Sequence, residues 1–185
     1  MSLKQLLYSD LARQYELEGR DDLHPNLLRF LSRLLHYRFL PIVLCRMSRS
    51  TMLAGIPVLP KLLTYLNVVL FGLEVTPRCD IGPGVFFPHT SGTVIGARRL
   101  GCNVTVFQGV SIGAKHLHMT FDPALRPEVG DNVVLGTGSK VLGPIRIADN
   151  VTVGANSVVL ESVEANTTVV GSPARKIETA KAIHR

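Results

Sequence analysis

VGDNVVLGTGSKVLGPIRIADNVTVGANSVVLESVEANTTVV, residues 129–170, repeats every six residues. An aliphatic or small residue opens each unit: Val129, Leu135, Val141, Ile147, Val153, Val159 and Ala165. A second one follows four places later, from Val133 and Ser139 through Ile145, Val151, Ser157 and Val163 to Val169. Turn formers stand between them: Asp131-Asn132, Thr137-Gly138, Gly143-Pro144, Asp149-Asn150 and Ala155-Asn156. Gly and Asn accept left-handed backbone angles that other residues resist, so these pairs predict sharp corners. Short strands joined by corners at a fixed period predict a parallel β-helix of hexapeptides. Each strand turns one apolar side chain inward, and the stacked coils share a narrow continuous core.

The pattern extends towards the N-terminus. Val94, Leu100, Val106 and Ile112 are six apart, with Val104 and Val110 four after Leu100 and Val106. Val75, Ile81 and Phe87 are again six apart, with one extra residue before Val94, and Pro83-Gly84 and Cys102-Asn103 fall at corners. The repeat breaks once, between Ile112 and Val129. The segment 115–127 has no period and is expected to leave the coil as a loop, which in a regular solenoid is usually functional.

Three segments result: a helical cap over 1–72, the solenoid over 73–170 and a tail over 171–185. In the cap, residues 1 to about 24 predict a mixed-charge helix, with Leu6, Leu7, Leu11 and Tyr15 on one face. Pro25 opens a second helical stretch, Asn26 to Arg38, a third apolar stretch follows Pro41, and Pro57 and Pro60 mark a turn before Lys61 to Leu73. From Pro25 to Leu73 there are six basic residues (Arg29, Arg33, Arg38, Arg46, Arg49 and Lys61) and no acidic one. Such a segment suits a cap over the apolar end of the first coil, or a basic face on anionic lipid. No run reaches the roughly 18 apolar residues of a membrane span. In the tail, Gly171 and Pro173 stop the repeat and Arg175 and Lys176 follow at its last corner. Ile177 to Arg185 predicts a short helix or a frayed end.

With 185 residues, one main domain and a smaller appendage are expected. Hydrophobic residues make up 46% and Trp is absent, as suits a core of small aliphatic side chains. Cys45, Cys79 and Cys102 lack paired or metal-like spacing, and Lys4, Asp10, Arg13, Glu16 and Glu18 near the start fit no signal peptide. A cytoplasmic protein, with peripheral contact at the inner membrane surface, is the expectation. The net charge of +6 suits an anionic small molecule or a membrane face. The sequence has no basic patch interleaved with aromatics, so no nucleic-acid partner is expected.

His89, with Glu74 ahead of it in the chain, is the first candidate for chemistry. A coil of about 18 residues places Glu74 beside roughly residue 92 one coil later, within reach of the imidazole. A carboxylate on one ring nitrogen fixes the tautomer and leaves the other free to accept a proton. A surface histidine with an unrelated glutamate is the competing reading. His116 and His118 on the loop add a zinc reading with His89, or are simply solvated. Lys140, Arg146, Arg175 and Lys176 beside Gly-rich corners suit phosphate oxygens, or are scattered surface cations.

From about Leu73 to Ile177 the chain resembles the hexapeptide-repeat acyltransferases, and within them the serine acetyltransferases. The likeness rests on Pro88-His89-Thr90-Ser91-Gly92-Thr93-Val94-Ile95-Gly96, Gln108-Gly109-Val110-Ser111-Ile112-Gly113, Gly136 to Gly143 and Val170 to Arg175. It implies a left-handed β-helix, a homotrimer, and acetyl-CoA in the groove between neighbouring solenoids. It implies His89 as base and Glu74 as its carboxylate partner. For the acetyl-CoA side it implies Gly113, Ala114, Gly138, Lys140, Ala155, Arg175 and Lys176, with no metal. The reaction implied is direct acetyl transfer to a hydroxyl, that of L-serine, as in cysteine biosynthesis. The chain departs from the family at Pro88, where an Asp is usual, and at Leu125-Arg126-Pro127, where Arg-His-Pro is usual. That leaves Arg126 as the acceptor-binding cation. The helical region is about half the family's length, as in the acetyltransferases of exopolysaccharide synthesis, whose acceptor is a sugar hydroxyl. A γ-class carbonic anhydrase and an inactive trimeric scaffold are more remote alternatives on the same fold.

Overall fold

A computed structural model describes residues 1–116 and 120–177. After four helices the chain forms strands of two or three residues. The first coils carry β1 (Leu73–Val75), β2 (Asp80–Ile81), β3 (Thr93–Ile95), β4 (Arg99–Leu100), β5 (Thr105–Val106) and β6 (Ser111–Gly113). The chain re-enters through β7 (Glu128–Val129), β8 (Val134–Leu135), β9 (Lys140–Leu142) and β10 (Arg146–Ile147). It ends with β11 (Thr152–Val153), β12 (Val158–Val159), β13 (Thr168–Val170) and β14 (Arg175–Ile177). They sort into three walls, β1-β3-β6-β9-β12, β2-β4-β7-β10 and β5-β8-β11-β13-β14. All pairings are parallel except β13 with β14. This is the expected parallel β-helix.

In the first wall Leu73 pairs with Thr93, Val94 with Ser111, Ser111 with Lys140 and Lys140 with Val158. The coils are therefore unequal. The step from Ser111 to Lys140 is by far the longest and contains the loop that breaks the repeat, while the coil from Leu73 to Thr93 is longer than the one that follows it. The inward positions behave as expected from Val129 to Val159, and Val104, Val110, Val133 and Val151 are buried beside them. Two expected inward positions are wrong. Val94 faces out, 41% exposed, and Ile95 enters the core, because the long first coil delays the phase by one. Ala165 lies exposed at a corner, while Val163 pairs with Ile147 and Val169 with Val153, so the last coil is a short one.

The corners stack as well. Asn103, Asn132, Asn150 and Asn166 all have positive φ, and each side-chain amide donates to the next at 3.0–3.3 Å. Gly82, Gly101 and Gly130 form a second column in which coils approach through backbone, with Asp131 Oδ1 against Gly101 and Asp149 Oδ1 against Gly130. A Cβ on Gly101 would lie 2.5 Å from the Gly130 carbonyl.

The cap begins with α1 (Leu3–Leu17), where Ser2 and Gln5 make a reciprocal capping box. The first helix thus ends at Leu17, short of residue 24. α2 is Leu27–Arg33, shorter than the expected stretch to Arg38. The chain turns after it, which lets Phe39 join Leu7, Leu11, Tyr15 and Val43 in a small second core. α3 (Leu40–Leu53) and α4 (Leu59–Phe71) carry Pro41 and Pro60 in their first turns, where a missing N–H costs nothing. Ile42 and Cys45 of α3 share the solenoid core with Leu73, Val75 and Phe87, so the cap does cover the first coil.

One buried ion pair fastens cap to coil. Both Asp10 oxygens accept from Arg46, at 2.9 Å each, and Oδ1 also accepts from the Gly84 N–H at 2.9 Å. Arg46 spends its other donors on the Ile81 and Gly82 carbonyls. Burial pushes the Asp10 carboxyl up from its ordinary value, against the pull of Arg46 and the Gly84 amide. The basic stretch is therefore no uniform surface: Arg33 pairs with Glu18, Arg46 with Asp10 and Arg49 with Asp80. At the other end, Arg175 and Lys176 sit on β14, folded back antiparallel on β13, and not at a last parallel corner. Residues 178–185, for which a short helix or frayed end was expected, lie outside the described residues.

Because the Gly101 column has no room for a side chain, Gly101→Ala should force adjacent coils apart. Overpacking of this kind typically costs about 1–3 kcal/mol. Urea unfolding should show that loss with an unchanged slope; an unaltered midpoint would contradict the backbone contact.

Candidate functional site

The outer surface of the first wall and the loop after β6 enclose an open cavity of about 660 Å3. Glu74 of β1 stands on one side; it points outward because strand residues alternate and Leu73 and Val75 point in. Gly113 and Ala114 at the end of β6, and Lys115, His116 and Phe121 of the loop, form the rest of the rim. Arg126 crosses the floor. A Cβ on Gly96 would stand 3.0 Å from Arg126 Nη1 and one on Gly113 3.7 Å from it, so these two stacked glycines make the notch the guanidinium occupies. Phe121 roofs it, with its ring centroid 5.1 Å from Arg126 Cζ and 5.9 Å from Arg78 Cζ.

The electrostatics of the cavity differ from those of the cap. Among the described residues, Arg126 makes no ion pair and its buried Nε has no hydrogen-bond partner. Glu74 is likewise unpaired among the described residues, and no backbone hydrogen bond there uses the Ala114 N–H. The cavity thus offers an acceptor, a forked cationic donor and a free amide, all awaiting partners. A small molecule carrying both charge signs fits that set.

His89 is not part of this lining; it lies before β3 and is exposed. Its segment is well pinned: Phe87 is fully buried, Thr90 Oγ1 donates to the Phe71 carbonyl at 2.8 Å, and the Gly92 N–H donates to the Gly72 carbonyl at 3.0 Å. Glu74 lies opposite Val94, two residues beyond the expected place beside residue 92, because the first coil is longer than the regular repeat. Among the described residues His89 and Glu74, a pair expected from spacing, make no hydrogen bond with each other.

The remaining candidates scatter. Lys140 Nζ donates to the Gly109 carbonyl at 2.6 Å. Gly138 and Ala155 lie at corners of adjacent coils, linked through the Asn156 N–H to the Thr137 carbonyl. Arg175 and Lys176 line a separate cavity of about 290 Å3 with Glu161 and Glu164. Among the described residues no three His, Cys, Asp or Glu side chains converge as metal ligands, and His118 lies outside them. Burial pushes the Cys45 and Cys79 thiols up to about 12, so neither is a nucleophile near neutral pH. Sequence reasoning missed Phe121 and Arg78. The signal available was the pair Ile95-Gly96 and Ile112-Gly113, where the residue after an inward Ile loses its side chain in two adjacent coils.

A triangular stack of hexapeptide coils with an open polar cavity on one wall defines the hexapeptide transferase architecture. Residues 126–161 match the bacterial transferase hexapeptide (six repeats) family. The chain is 42% identical over 123 residues to a serine acetyltransferase of Synechococcus elongatus, covering 66% of this chain and 49% of that one. It superposes on Neisseria gonorrhoeae serine acetyltransferase in complex with serine with a TM-score of 0.77 and 30% identity, over 94% of this chain and 68% of that one. For the Brucella abortus enzyme in complex with coenzyme A the TM-score is 0.76 and the identity 27%, over 94% and 67%. The chain belongs to the serine acetyltransferase family, and its solenoid is the left-handed β-helix. It spans about half the length of the curated relatives it matches.

The stack on Arg126 has a direct readout. In Phe121→Ala the Arg126 Nε–H, now shielded from water, should exchange with solvent about tenfold faster or more. An unchanged exchange rate by NMR would mean that Phe121 does not hold the guanidinium.

Proposed function

We propose that this protein transfers an acetyl group from acetyl-CoA to the hydroxyl of L-serine. The observation that carries this reading is the single cavity in which an unpaired carboxylate, Glu74, faces the same space as an unpaired guanidinium, Arg126. Serine offers a carboxylate to Arg126 and carries its reacting hydroxyl on the side chain, which leaves Glu74 for the base. The likeness to a serine acetyltransferase crystallised with serine supports serine over a sugar hydroxyl as acceptor.

In this reading neutral His89 accepts the proton of the serine hydroxyl as its oxygen attacks the thioester carbon. The same proton then passes to the departing sulfur. Glu74 orients the imidazole and stabilises its cation. The free Ala114 N–H, with the Gly113 backbone beside it, faces the charge that develops on the thioester oxygen; one such donor is typically worth about 10²–10³ in rate. Arg126 grips the serine carboxylate in two-point fashion. Acetyl-CoA extends along the late coils past Gly138, Lys140 and Ala155, with Arg175 and Lys176 meeting its phosphates. No nucleophilic Ser or Cys is needed, since the thioester is already activated.

His89 is not among the residues that line the cavity, and the outer walls of the solenoid remain open, so a homotrimer completes the site in the same proposal. The cytoplasm is the setting, with peripheral contact of the helical cap at the inner membrane surface. Its support is the apolar surface that the cap leaves in water. Among the described residues no helix is long and apolar enough to cross a membrane.

Steady-state kinetics test the assignment. His89→Ala should lower kcat by about 10²–10⁴ with little change in the KM for acetyl-CoA. Glu74→Gln should lower it less, and Arg126→Ala should mainly raise the KM for serine. Near-normal turnover by the His89 variant would remove it as the base. Light scattering should give three times the chain mass, and an active monomer would rule out the shared site.

A further inference from the structure

The large apolar side chains left in water are unevenly placed. Among the described residues 21 are exposed, and 16 of them lie between Leu17 and Leu70. On α4 they cover a broad outer side: Val58 at its N-cap, then Leu62, Tyr65 and Val69 at steps of three and four, are 72%, 57%, 67% and 61% exposed, and Leu66, Val68 and Leu70 flank them. The inward side carries polar groups beside Pro60 and Phe71. Asn67 is buried and donates to the Pro41 carbonyl at 3.1 Å, and Thr64 Oγ1 meets Ser48 Oγ at 3.0 Å. A helix of a soluble protein normally buries its apolar stripe and wets its polar one. α4 leaves most of its apolar side chains in water, and a contiguous apolar face of this kind marks an interaction surface.

Charge identifies the occupant. Between Arg49 and Glu74 the chain carries a single ionisable charge, Lys61, which is exposed and unpaired beside the stripe. Another copy of the same helix would bring Lys61 no carboxylate, and a protein rim built of paired charges has nothing here to pair with. An anionic bilayer supplies the counter-charge in its headgroups and an apolar phase for the stripe. α4 has 13 residues, too few to cross. Tyr65 has the amphipathic ring that settles at the headgroup level.

We infer that α4 lies in the plane of an anionic membrane, with Leu62, Tyr65 and Val69 inserted and Lys61 at the headgroups. The inference rests on the peripheral-contact reading of the cap and changes its basis. Arg33, Arg46 and Arg49 are held by carboxylates, which halves the free charge of the basic stretch, so insertion of the α4 stripe is the main hold on the membrane.

The test is flotation of the full chain with vesicles of phosphatidylcholine, alone or mixed three to one with phosphatidylglycerol. The wild type should bind both, the mixed vesicles more tightly, and most binding should survive salt of about 0.5 M, where headgroup attraction is screened. Leu62→Asp with Val69→Asp should weaken binding about tenfold or more while assembly size and serine acetylation stay unchanged. The chain has no Trp, so Tyr65→Trp gives a lone reporter whose emission should shift to the blue on vesicle addition. Binding that the Asp variants keep, and that salt abolishes, would leave the peripheral reading standing and overturn the role of α4. Absence of vesicle binding by the wild type would overturn both. Absence of binding together with an altered assembly size in the Asp variants would assign the stripe to contacts between copies.

Discussion

Everything in this molecule answers to one requirement: each coil must hydrogen-bond, in register, to the coil above and below it. Strands of two or three residues have no stability alone, so a strand persists only where its neighbours in the stack satisfy its backbone groups. Register here is set by inward side chains and corner residues together. The asparagine column locks corners side chain to side chain, and the glycine column lets neighbouring backbone and the Asp131 and Asp149 carboxylates close in. Any residue in excess of a coil must leave the stack. The long step between β6 and β9 does so as a loop, and that expulsion is what carries Phe121 and Arg126 out over the first wall.

The same requirement exposes the two ends, where a coil has neighbours on one side only. At the C-terminal end β14 folds back on β13 and supplies the missing strand. At the N-terminal end α3 covers the apolar opening with Ile42 and Cys45, and the Asp10–Arg46 pair binds helix to coil through the Ile81, Gly82 and Gly84 backbone. A buried ion pair often adds little net stability over apolar packing, whereas loss of one partner leaves an uncompensated charge and costs about 3–5 kcal/mol. Its contribution is orientation: only one docking of α1 and α3 satisfies all these partners at once.

How much of this could be read beforehand follows from what is local. Positions with a fixed period are local, so the fold, the corners and the inward residues from Val129 to Val159 were legible. Phase is less so: a lengthened first coil moved the inward position from Val94 to Ile95, and a short last coil replaced Ala165 with Val163. The fate of the arginines was not legible at all, because Glu18, Asp10 and Asp80 lie 15, 36 and 31 residues from their partners. The outward apolar face of α4 was hidden for a related reason. An amphipathic pattern gives the two faces of a helix, and the tertiary partner decides which of them turns inward.

Several charges of the cap and solenoid are answered: Asp10 by Arg46, Glu18 by Arg33, Asp131 by the Cys102 amide, Asp149 by the Asp131 amide. The first-wall cavity holds Glu74, Arg126 and the Ala114 N–H open in one space. A guanidinium whose Nε is buried without a partner is costly to keep, since removal from water strengthens the demand for an anion. Two glycines have given up their side chains to seat it and an aromatic ring covers it, so its position is built and not accidental. The fold therefore bears an unmet cation beside the longest excursion from its repeat, and an anionic group is what would satisfy it.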